Sequence, residues 1–66
     1  MVGTITSVRT DKGYGFISTP NDPSIFFHVK NLVGLPFDEK LVGQRVEFGI
    51  ERSEKGARAT AVQAAK

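Results

Sequence analysis

Lys12-Gly13-Tyr14-Gly15-Phe16-Ile17-Ser18, written KGYGFIS over residues 12–18, decides the fold of this chain. Tyr14, Phe16 and Ser18 fall two apart, with Gly15 and Ile17 between them. Successive strand side chains point to opposite faces, so this spacing predicts a strand. One face carries two rings and a hydroxyl; the other carries a glycine and an aliphatic chain. The alternation returns in Ser24-Ile25-Phe26-Phe27-His28-Val29, where Phe26 and His28 share one face and Ile25, Phe27 and Val29 the other.

Outward from these two segments the chain reads as five short strands. Residues 4–9, rich in Thr, Ile and Val, form the first. Thr10-Asp11-Lys12-Gly13 is a turn in which Gly13 can take a positive φ. Residues 14–19 form the second strand, paired with the first as a hairpin. Pro20-Asn21-Asp22-Pro23 breaks the pattern before the third strand, residues 24–29. A long connection, residues 30–43, has room for a helical turn near 30–32. Residues 45–51 alternate, with Val46, Phe48 and Ile50 on one face. Ser53-Glu54-Lys55-Gly56 is a turn, and residues 58–63 are the fifth strand. That last segment is Ala-rich, which favours helix, but β-branched Thr60 and Val62 and the preceding turn favour a strand, with Ala64-Ala65-Lys66 frayed. The pattern predicts an all-β, small and partly open barrel. The expected inward set is Ile5, Val8, Ile17, Ile25, Phe27, Val46, Phe48, Ile50 and Val62.

The 66 residues are expected to be one domain, 1–66, and a complete chain. A domain of this size buries only about 60% of the surface its unfolded chain exposes. Nothing is left over to cover a second face of the sheet. Tyr14, Phe16, Phe26 and His28 therefore read as one ring cluster left for a partner, because exposed apolar patches mark interaction sites. Unpaired bases suit such a surface: every base has a π-face, and stacking contributes about 1–3 kcal/mol per base. Gly13 and Gly15 are read as leaving the rings unobstructed, and Lys12 as able to meet a phosphate.

Composition excludes other classes. There is no cysteine, hence no disulfide framework or cysteine-rich zinc site, and one histidine is too few for a histidine metal site. No Walker-type loop follows Gly13 and Gly15. No cofactor is expected. No apolar run is long enough for a membrane span, and the N-terminus is not a signal peptide, so a cytoplasmic protein is expected. Nine Lys+Arg against seven Asp+Glu give a formal charge of +2. This permits nucleic-acid binding without pointing to it.

Here the residues meet a known family. DKGYGFI, residues 11–17, resembles the first ribonucleoprotein motif of the bacterial cold-shock proteins, and IFFHV, residues 25–29, resembles their second. VGQRVEFGIE, residues 42–51, and the Lys55-Gly56 turn are also similar in order and spacing, so the resemblance covers essentially the whole chain. It implies a five-stranded antiparallel β-barrel of the oligonucleotide-binding type (OB-fold) that binds single-stranded RNA or DNA, acting as an RNA chaperone or a cold-shock-type regulator of gene expression. The binding roles it implies fall on Lys12, Tyr14, Phe16, Phe26 and His28, with Phe37 capping the platform from the long loop and Lys55 and Gly56 in the basic turn. Phe37 can equally tuck under its own loop, and Arg9 and Arg58 read equally as phosphate contacts or surface cations.

The chain also departs from the family. Thr6-Ser7-Val8 stands where Lys-Trp-Phe is usual, Val29 where another ring is common, Arg9 where asparagine is usual, and Ala57 where proline is frequent. Two lost base contacts would cost about 2–6 kcal/mol if fully additive, so weaker binding or a shorter site is expected. The alternative is a protein-interaction or self-associating module, swapped through the long connection, with reduced nucleic-acid binding. A monomer is the expected state and a dimer the form of that alternative. No enzyme is expected: no acid or nucleophile accompanies His28, and Asp38 and Glu39 read as a solvated loop pair rather than an acid/base dyad.

Overall fold

The computed structural model describes residues 1–54 and 56–65. Five strands follow in order: β1 (Val2–Arg9), β2 (Tyr14–Ser18), β3 (Ile25–His28), β4 (Arg45–Ser53) and β5 (Gly56–Ala64). Two 3-10 turns, η1 (Val29–Asn31) and η2 (Glu39–Leu41), lie in the long connection. The expected strands are all present, with ends displaced by no more than two residues. Ala65 is held rather than frayed, its N–H donating to the Arg45 carbonyl at 3.0 Å; Lys66 lies outside the described residues.

The strands close into a barrel in the order β1-β2-β3-β5-β4, with β4 pairing back to β1. The expected barrel was partly open and antiparallel. The observed one is closed, and β3 runs parallel to β5 through Phe26 and Arg58. A closed ring with an odd number of strands cannot alternate direction all the way round, so one parallel pair is unavoidable. The remaining pairings are antiparallel.

Ile5, Ile17, Ile25, Phe27, Val46, Val62, Phe48, Ala59 and Leu41 form the core. Val8 and Ile50, expected inside, are half-buried and pack against it. Ile5 and Val8 are three apart, so strict alternation would put them on opposite faces. A register shift between Ile5 and Ser7 turns both inward: Ile5 pairs with Ile17, and Val8 with Gly15. This is a one-residue bulge at Thr6. A second shift, between Glu47 and Gly49, does the same for Ala59 and Val62, and Ala61 there takes a φ of 49°.

The long connection is tied down along its length. η1 begins where the expected helical turn lay, one residue early. The Val33 N–H donates to the Val62 carbonyl at 2.7 Å, and Leu32 bridges to Val62. Asp38 caps η2 by accepting from the Lys40 N–H at 2.8 Å, which sets Leu41 into the core. Asp38 therefore has a structural task that its reading as loop solvation did not include.

Candidate nucleic-acid interface

The β2–β3 hairpin register builds the site. Tyr14 pairs with His28, and Phe16 with Phe26. Directly paired residues share a face, so all four side chains lie together, while Gly15, Ile17, Ile25 and Phe27 turn into the core. The ring centroids lie 5.8 Å apart for Tyr14 and Phe16, 5.5 Å for Tyr14 and Phe26, and 6.1 Å for Phe16 and Phe26. Phe16 stands nearly edge-on to both neighbours, at 82° and 71°, which is the arrangement aromatic quadrupoles favour. Mutual packing leaves the rings half-buried. The exposed large apolar side chains are elsewhere, at Met1, Val2, Val33 and Val42.

The register extends this cluster into two rows across the sheet. One runs Ser7–Phe16–Phe26–Arg58–Glu51 over all five strands. The other runs Arg9–Tyr14–His28 over β1, β2 and β3. Arg9 thus stands beside Tyr14, and Arg58 beside Phe26. Ser7 takes the place next to Phe16, brought there by the Thr6 bulge. Lys12 is exposed on the intervening turn. That turn is closed by the Gly13 N–H donating to the Arg9 carbonyl at 2.8 Å, with Gly13 at φ 78° as expected.

His28 is oriented by the backbone. Its Nδ1 accepts from the Lys30 N–H at 3.1 Å, and its own N–H donates to Asn31 Oδ1 at 3.2 Å. An accepting Nδ1 carries no proton, so in the neutral imidazole Nε2 is the donor. In its neutral form His28 therefore offers an Nε2–H on the face it shares with its register partner Tyr14.

The remaining candidates separate. Gly56 and Arg58 line a depression of about 390 Å³ with Phe26, Ser53 and Ala57. Arg58 Nη2 donates to Glu51 Oε1 at 3.0 Å. Lys55 lies outside the described residues. Phe37 packs edge-on to core Phe27, with centroids 6.5 Å apart. Its half-exposed remainder lines a separate hollow with Thr10, Asp38, Glu39 and Lys40. Ser7 and Glu51 were not among the candidates. Glu51 was legible, since counting back from the Ser53–Gly56 turn sets it opposite Arg58.

No group of three or more His, Cys, Asp or Glu among the described residues is arranged to hold a metal ion. No helix among them is long and apolar enough to cross a membrane.

A closed five-stranded barrel in the order β1-β2-β3-β5-β4 defines an OB-fold protein. The family described as the 'Cold-shock' DNA-binding domain matches residues 1–65, and this chain belongs to it. Its members bind single-stranded nucleic acids and are not enzymes. The chain is 38% identical over 65 residues to the cold shock-like protein CspA of Vibrio cholerae, covering 97% of this chain and 93% of that one. It is 35% identical over 63 residues to the cold shock protein CspC of Bacillus subtilis, covering 96% of each. The solved structure of drosophila Unr CSD456 shares the fold with a TM-score of 0.71 at 23% identity, over 98% of this chain and 26% of that chain.

Proposed function

We propose that residues 1–66 act as a single cold-shock domain in the cytoplasm. It captures short unpaired stretches of RNA or DNA by stacking bases on Tyr14, Phe16 and Phe26, with His28 at the edge. The observation that carries this reading is the β2–β3 register, which gathers all four side chains on one face. Arg9 and Lys12 supply cations near Tyr14, and Arg58, with Gly56 and Lys55 of the turn, supplies the β5 end. Phe37 joins through its half-exposed side, at the margin. Capture of unpaired bases draws hairpins toward the melted state by mass action. This is chaperone action without ATP, and it can serve gene regulation.

Binding is weaker than in family members carrying Lys-Trp-Phe, because Thr6, Ser7 and Val8 present neither cation nor ring at the β1 end. Exchange through the long connection lacks comparable support. Leu41 is buried in its own barrel, and Val33 is bonded to its own β5.

The test is titration of a labelled pyrimidine-rich oligonucleotide, followed by anisotropy. Phe16→Ala and Phe26→Ala should each weaken binding about 5- to 150-fold, the equivalent of about 1–3 kcal/mol per stacked base. Unchanged affinity in both variants contradicts the stacking mechanism. No binding by the parent chain, with mass rising with concentration, would favour the self-association module.

A further inference from the structure

The row of side chains through Phe26 ends in an ion pair that base stacking does not use. Arg58 is in register with Phe26 on one side and Glu51 on the other. Its Nη2 donates to Glu51 Oε1 at 3.0 Å. The side chains are 51% and 59% exposed, so burial does not force this contact. Arg58 also lines the depression beside Phe26. Among the described residues, Arg9 and Lys12 make no ion pair. Arg52, the other described cation at this end of the barrel, faces Asp22 at 3.8 Å.

We propose that Glu51 is a built-in counter-ion of Arg58 that holds down the affinity of this end of the surface for nucleic acid. The inference rests on the proposed function and concerns how its site is tuned. Guanidinium N–H groups bond carboxylate and phosphate oxygens with the same geometry. A phosphate lying against Phe26 therefore competes with the Glu51 carboxylate for Arg58, and the carboxylate stays nearby as a like charge whether or not it is displaced. An exposed pair of this kind shifts an equilibrium by at most about fivefold, so a polyanion can displace it. The pair is a brake rather than a lock. While it is made, Arg58 contributes less than a full phosphate contact to the salt dependence of binding.

Binding of a fluorescein-labelled oligothymidylate is measured across a salt series for the parent chain, Glu51→Gln, Glu47→Gln, Arg58→Ala and the Glu51→Gln/Arg58→Ala double variant. Glu47 is also exposed on β4, but its register partners are Val2 and Gln63, so Glu47→Gln controls for the bare change in charge. Glu51→Gln is expected to tighten binding about two- to fivefold at low salt. It should also steepen the log–log salt slope by up to about 0.7, the increment for one phosphate on a single strand. Glu47→Gln should do less, and with Arg58→Ala already present the Glu51 change should give no more than the Glu47 change. If Glu51→Gln matches Glu47→Gln while the parent binds, or if its gain survives Arg58→Ala, the counter-ion role is overturned and the proposed function stands. If neither the parent chain nor Glu51→Gln binds, both are overturned together.

Discussion

Gly15 shows at residue scale how closely core and interface are joined. It sits between Tyr14 and Phe16 in sequence, and read alone it keeps their ring faces clear. In the barrel it turns inward instead. A Cβ there would lie 2.7 Å from the Phe27 ring and 2.6 Å from the Ser7 carbonyl oxygen. Glycine at 15 thus admits the fully buried Phe27 ring and the close approach of β1, and its effect on the outer rings is indirect. Gly15→Ala is expected to destabilise the fold by about 1–3 kcal/mol, the usual cost of overpacking, seen as a lower midpoint in urea unfolding. An unchanged midpoint would mean that β1 and Phe27 give way freely. Positions 14, 16, 26 and 28 were legible as one face because alternation and a short hairpin determine them. Phe37 was not, because a loop without periodicity says nothing about which way a ring turns. Its contact with Phe27 depends on where the tied-down connection crosses the core.

β1 and β5 show, at the scale of elements, where alternation stops being sufficient. Their positions in sequence were readable from β-branched residues and turn signals. Their bulges were not, since one extra residue depends on the strand across the ladder. Without the bulge at Thr6, Val8 would face outward and Ser7 would not stand beside Phe16. The core gained Leu41 and Ala59 for related reasons: the first comes from a capped 3-10 turn in the connection, and the second is small and lies three residues from Val62. By contrast, the pairing of Glu51 with Arg58 follows from the Ser53–Gly56 turn by counting alone. The β1 bulge also carries a prediction. Ser7 is exposed and in register with Phe16, so Ser7→Trp places a ring at the end of the row. Oligonucleotide affinity should rise about 5- to 150-fold, the range for one added stacking contact. No gain would show that the bound strand does not cross β1.

Over the whole molecule, five strands closing on themselves leave no open sheet edge, and the thin core leaves one face for a partner. The formal charge of +2 is small, so long-range attraction to nucleic acid is weak and local cations must do the positioning. If Arg9 and Lys12 each meet one phosphate and Arg58, paired with Glu51, contributes only part of a third contact, the log–log salt slope should lie between about −1.4 and −2.1, at roughly −0.7 per phosphate on a single strand. A flat salt response in a binding titration would remove these cations from the account. The central claim is that bases stack on the β2–β3 rings. Tyr14 is the only tyrosine and there is no tryptophan, so intrinsic fluorescence reports from within that cluster. The most direct measurement is therefore Tyr14 emission during titration with a short pyrimidine-rich single strand at low salt. Saturable quenching that is lost or strongly weakened in Phe16→Ala is the predicted result. Emission that stays constant up to high micromolar oligonucleotide would contradict it.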